Sequence, residues 1–204
     1  MNDRWETVWQ KLTASRIPYE VLDELLRAYS SPGRYYHTFT HIQDCLSIFD
    51  QTSSLAAHPE EVELAIWFHD SVYDPGRDDN EQKSAEWAEA VVHGSGLSKE
   101  IAKRVADSIL ATRHHAEVTD PDAQLLVDVD LSILGRDPAV FWKYEENIRK
   151  EYAWVPENLF RQKRVKILKS FLDRKHIYYH REYRERFEAG ARMNLGQAIA
   201  RLDG

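Results

Sequence analysis

The stretch Leu64-Ala65-Ile66-Trp67-Phe68-His69-Asp70 reads as an apolar helical run that ends on a neighbouring imidazole and carboxylate. A plain core helix would continue with more apolar residues. His58-Pro59-Glu60-Glu61 opens this helix, with Pro59 at a favourable first-turn position and the acids near the positive helix end. Burying either terminal polar group without a partner is costly, and burying a charged carboxylate is especially so. A metal ion is the compensation for which the chain offers further ligands. Upstream lies His41, in Tyr35-Tyr36-His37-Thr38-Phe39-Thr40-His41-Ile42. Downstream lie Asp128 and Asp130, in Leu125-Leu126-Val127-Asp128-Val129-Asp130-Leu131.

Helical periodicity continues on both sides of this run. Trp5, Val8, Trp9 and Leu12 mark a first helix, and Val21, Leu22, Leu25 and Leu26 a second. Ser31-Pro32-Gly33 is a turn, and the segment after it to about Phe49 is expected to be a third helix carrying both His37 and His41. The polar loop Asp74 to Asn80 follows the His69-Asp70 pair, with Asn80 expected as an N-cap. Further helices are expected over Glu81 to Val92, Ser98 to Arg113, Asp122 to Leu134, Asp137 to Ala153, Glu157 to Asp173 and Tyr183 to Leu202. Ser98 is a good N-cap, and Gly94 and Gly96 end the preceding helix. Alternating strand patterns are scarce. The expectation is an all-α helical bundle, one domain over residues 1–204, since a chain of this length buries one sizeable core.

Apolar residues make up 43% of the chain and charged ones 30%, a balance too rich in large side chains for disorder. The single cysteine, Cys45, has no intramolecular disulfide partner. No apolar segment approaches a membrane-spanning length, so no membrane association is expected. The polar N-terminus does not read as a secretory signal, and a reducing, cytoplasmic location is the expectation. Net charge is −7, unevenly spread: Arg161 to Arg186 holds ten Lys or Arg against three acids. Such a run attracts phosphorylated ligands or nucleic acid. The plainer reading is the solvated face of an amphipathic helix, because Leu168, Phe171 and Leu172 fall at helical spacing within it. Nucleic acid is accordingly the weakest partner class, and homo-oligomerisation is left open.

A catalytic divalent-metal site needs oxygen and imidazole nitrogen ligands with open positions for water and substrate. His41, His69 and Asp70, with Asp130 or Asp128, supply such a set from three segments. Adjacent helical residues point about 100° apart, so His69 and Asp70 can grip one ion only at a helix junction. Asp128 and Asp130 lie about 200° apart on a helix, so only one of them faces a given site.

The order His … His-Asp … Asp resembles the HD-domain superfamily of metal-dependent phosphohydrolases. The chain is similar, more narrowly, to a bacterial subgroup described as predicted HD-superfamily phosphohydrolases. The matching stretches are Arg34-Tyr35-Tyr36-His37 before His41-Ile42, Phe68 to Asp74, Asp79-Asn80-Glu81 with Ser84, Ile109 to Thr112 with His115, Asp128 to Gly135, and Ala191 to Leu195. They extend over nearly the whole chain. The resemblance implies a helical HD-type bundle and a metal set of His41, His69, Asp70 and Asp130, with Asp128 as a supporting or capping carboxylate. It leaves the ion open among Mn, Mg, Fe, Co, Ni and Zn.

Neighbouring residues invite roles. His37 is a candidate phosphate contact or ligand-orienting group, and otherwise a structural histidine. Arg34 and Arg77 are candidates for bidentate phosphate contact. Asp70 and Glu81 are candidate catalytic carboxylates, Glu81 being otherwise an exposed acid in a helix's first turn. His115 is a candidate general acid or second-metal ligand, as downstream histidines are in some HD proteins. The expected activity is metal-dependent hydrolysis of a phosphate ester in a small metabolite or nucleotide. No Walker-type glycine loop is present. Two other classes remain: a di-iron HD-type oxygenase, for which His115 with His37 or His114 would supply extra ligands, and a metal-stabilised binding module without turnover.

Overall fold

The computed structural model describes residues 2–113 and 118–204, and every described element is helical. The chain divides into two compact units, Met1–Val129 and Asp130–Gly204. The first contains α1 (Asn2–Lys11), α2 (Tyr19–Tyr29), α3 (Phe39–Asp50), α4 (Pro59–Phe68), α5 (Asn80–Gly94), α6 (Lys99–Ala111) and most of α7 (Pro121–Leu131). The second holds the end of α7, then α8 (Pro138–Glu151), α9 (Glu157–Leu172), α10 (Arg181–Tyr183) and α11 (Ala189–Asp203).

In the first unit α4 is the hub, packed against α1, α3, α5 and α6. Its sequence explains why. Val62, Leu64, Ala65, Ile66, Trp67 and Phe68 bury every side of the helix, and a helix apolar all round belongs at a centre. The aromatic part of this core is built edge-on: Trp5 meets Trp9 at 5.4 Å and Trp67 at 5.3 Å between ring centroids. Around the hub the sequence signals operate as expected. Pro59 opens α4, and the Ser98 hydroxyl accepts from the Ile101 amide at the start of α6. Gly96 takes the left-handed conformation (φ +86°) just beyond α5.

Three expectations are corrected. The third helix starts at Phe39, later than the turn at Gly33 implied. Gly33 is left-handed (φ +91°) and Thr38 is extended (φ −111°, ψ 174°), so residues 34–38 form an irregular approach and His37 is off the helix. Asn80 is the first residue of α5 and does not cap it; its amide instead bridges the Asp74 backbone, accepting at 3.1 Å and donating at 2.9 Å. The helix expected over Tyr183 to Leu202 is interrupted by a π-helical turn at Arg184–Glu188.

In the second unit α9 packs on α11, and a 3-10 turn at Ser132–Gly135 packs on α8 and α11. A side chain at Gly135 would collide with the Phe187 backbone, and a Cβ on Gly190 would come within 2.8 Å of the Gly135 carbonyl oxygen. Both positions need glycine for that close approach. Much of the basic run is spoken for here. Arg161 donates to the Leu202 carbonyl at the end of α11, Lys169 pairs with Asp203, and Arg181 pairs with Glu185. Arg164 turns inward and is 8% exposed. Among the described residues no helix is long and apolar enough to cross a membrane.

Candidate metal centre

The site is assembled where α3 begins and α4 ends. His41 sits in the first turn of α3 and is buried. Cys45 lies one helical turn further on, so the two share a face. Helix α4 stops at Phe68, with His69 at its C-terminal cap and Asp70 in the turn beyond. Ending the helix there frees Asp70 from the helical spread of directions. Its carboxylate folds back to within 3.1 Å of His69 Nε2 and 3.5 Å of His41 Nε2. The two imidazoles face one another, Nε2 to Nε2, at 3.2 Å.

The His69 tautomer follows from its other nitrogen. Nδ1 lies 2.9 Å from the Ile66 carbonyl oxygen, which only accepts, so Nδ1 carries a hydrogen; in the neutral ring Nε2 then presents a lone pair, and in the protonated ring Nε2 donates to Asp70. The backbone of α4 thereby sets the orientation of the ring. Burial pushes the Asp70 pKa up. The positive charges that His69 and His37 can carry, with hydrogen bonds from His41 and His69, outweigh burial and hold the carboxyl well below the usual range. Asp70 is therefore an anion beside two imidazoles.

These separations fit one ion. Nitrogen and oxygen ligands each at about 2.0–2.2 Å from zinc or a similar ion lie roughly 3–3.5 Å from one another. The measured 3.1, 3.2 and 3.5 Å fall in that range. Cys45 joins the same histidines: one ligand atom from each of His41, Cys45 and His69 lies within 4.8 Å of the other two. Of the two acids on α7, Asp128 is fully buried and Asp130 is half-buried.

The remaining candidates are placed as follows. The Arg34 guanidinium donates to three backbone carbonyls, those of Asp70 at 2.7 Å, Ser71 at 2.9 Å and His37 at 3.0 Å. It also lies over the Tyr29 and Tyr73 rings. It thus ties the approach to α3 to the turn that carries Asp70. His37 stacks on Tyr73 at 4.0 Å and is half-buried beside the site. Arg77 is exposed and bidentate to Asp79 at 2.7 and 2.6 Å. Glu81 is in the first turn of α5, 3.7 Å from Arg113. His114 and His115 lie outside the described residues.

Two contributors have no role assigned from sequence. The sequence marks Cys45 only as a cysteine without a disulfide partner, although its spacing of four from His41 puts it on the same helical face. Ser84 Oγ accepts from the Val72 amide at 3.0 Å and so stitches the residues after Asp70 to α5. No family model, no curated protein and no solved structure matches the chain.

Proposed function

We propose that this protein is a metal-dependent phosphohydrolase of the HD type, acting on a small phosphorylated metabolite or nucleotide. The observation that carries the reading is the convergence of His41, His69 and Asp70 at mutual distances suited to a single ion, at a helix junction that α4 and Arg34 hold in place. The order of these residues in the chain, with Asp130 after them, is the basis of the HD resemblance.

His41, His69, Asp70 and Asp130 would hold a divalent ion. When bound, such an ion acidifies a water molecule to near neutrality and polarises a phosphoryl oxygen. The chain's own groups do the rest. His69 is locked in one tautomer by the Ile66 carbonyl, so it presents a nitrogen lone pair without rotamer searching. Asp70 is anionic across the physiological range, and the carboxylate oxygen not turned to the histidines can accept a hydrogen bond and orient a nucleophile. His37, half-buried beside the site, would donate a hydrogen bond to a phosphate oxygen. Arg34 positions the Asp70 backbone, and a direct phosphate contact is not needed from it.

The test is a phosphatase screen over nucleotides and sugar phosphates, run with Mn, Mg, Fe, Co, Ni and Zn in turn, with His69→Ala as the control. Turnover of at least one ester that disappears in His69→Ala is the expected result. A folded, metal-loaded protein inert over the whole panel would overturn the reading in favour of a metal-stabilised binding module.

A further inference from the structure

We propose that Cys45 is a ligand of this same centre, and that its sulfur makes the site selective for borderline metals such as zinc, cobalt or iron over magnesium. The inference rests on the metal centre proposed above and adds to it a donor of different chemistry.

The ordinary fate of a buried cysteine is to pack as a small apolar residue. Cys45 is 3% exposed, and Ile42, Leu46 and Phe49 around it on α3 are just as buried. Its sulfur, however, meets nitrogen. Sγ lies 3.7 Å from Nδ1 and 3.8 Å from Nε2 of His41. It also lies with the donor atoms of His41 and His69 in a group whose members are all within 4.8 Å of one another. The cysteine therefore does not stand alone: it shares the two imidazoles that face Asp70.

The distances suit coordination. A nitrogen at about 2.0–2.1 Å and a sulfur at about 2.3 Å from one tetrahedral ion are roughly 3.6 Å apart. The observed 3.8 Å to His41 Nε2 needs only a small closing movement of two side chains on adjacent turns of one helix. The spacing of four fixes that relation, since it stacks Cβ atoms on one face. As the sulfur–metal bond forms, the S–H bond breaks and the proton passes to solvent; no oxidation or reduction is involved. A thiolate strongly favours zinc, cobalt or iron, whereas magnesium demands oxygen and binds sulfur poorly.

The deciding experiment loads the full chain with Co(II) and records its absorption spectrum. A thiolate-to-cobalt charge-transfer band in the near ultraviolet, beside the visible ligand-field bands, is the expected result. In Cys45→Ser the near-ultraviolet band should vanish while the visible bands persist. Zinc affinity should fall by about tenfold or more, with magnesium affinity unchanged. Wild-type protein showing visible cobalt bands without the charge-transfer band would overturn the proposal and leave the metal centre standing. Wild-type protein binding no cobalt or zinc would overturn both. The wild-type spectrum decides the point even if the serine variant fails to fold.

Discussion

Asp70 in the first unit and Arg164 in the second are both charged groups held inside helical packing, yet their surroundings differ in kind. Arg164 brings its own answer. Its guanidinium reaches both oxygens of Glu145, at 2.5 and 3.2 Å, and the Tyr144 hydroxyl at 2.7 Å. Burial lowers its pKa, but Tyr144 and Glu145 outweigh burial and raise it, so the cation persists. Around Asp70 the neighbours are His41 and His69, whose ring nitrogens face each other and the carboxylate. The two histidines belong to a cluster of donor atoms that could hold a metal ion. A buried pair that neutralises itself needs nothing further from solvent, whereas clustered imidazole and carboxylate donors are the pattern in which perturbed groups at functional sites are found.

The contrast breaks first at the donors. His69→Ala or Asp70→Ala should remove essentially all bound metal, measured as metal per chain after purification and again after zinc reconstitution. The folded state should survive both substitutions with its helical circular dichroism intact. Full metal occupancy in both variants would sink the ligand assignment. The opposite behaviour is expected of Arg164→Leu, which leaves the largely enclosed Glu145 carboxylate without its partner. It should lower the unfolding free energy by about 3–5 kcal/mol, the usual scale for breaking a buried pair. The double variant Arg164→Leu, Glu145→Leu should recover most of that loss in urea denaturation. If Arg164→Leu alone were harmless, the self-contained view of this pair would be wrong.

The acidic residues of α7 sharpen the comparison on a single helix. Asp130, half-buried, is the proposed ligand, while Asp128, two residues earlier, is fully buried. Asp130→Asn should weaken metal binding by about a hundredfold, and Asp128→Asn should cost stability before it costs metal. Isothermal titration with zinc, alongside thermal unfolding, separates the two. The reverse order would assign the ligand to the other face of α7.

The two regions were unequally legible from sequence. Helix α4 was plain because an apolar run that spares no side has one home, and a His-Asp pair at its end breaks that pattern. Helix starts such as Pro59 in the first turn of α4 and the N-cap Ser98 announce themselves through residues with few other uses. The start of α3 was not legible, because Tyr35, Tyr36 and His37 suit a helix as well as a loop; only Thr38, extended in the fold, decides it. Arg164 was hidden by its company. In a run of ten cations nothing local marks the one whose partner, Glu145, lies 19 residues back on another helix. Cys45 was hidden for the opposite reason, a lone apolar-looking residue whose meaning depends on what α4 brings beside it.

Arg34 is the hardest test of the distinction, because it resembles Arg164 and serves the other region. Both lie over tyrosine rings, Arg34 at 5.2 Å from Tyr29 and Arg164 at 5.3 Å from Tyr144. The partners differ: Arg34 donates to three carbonyl oxygens on two segments, a task for a planar fork of donors. Arg34→Lys keeps the charge and loses the fork. A lysine reaches one or two of those carbonyls, so the Asp70 turn loosens without any carboxylate being stranded. Metal affinity should fall by about tenfold, the lower end for groups that orient ligands. Stability should fall by about 1–2 kcal/mol, well short of the Arg164 effect. Substrate KM at saturating metal should change little if Arg34 acts only through the backbone. A large rise in KM with metal affinity unchanged would instead make Arg34 a phosphate contact, as its sequence position first implied, and would move it from the frame of the site into its binding surface.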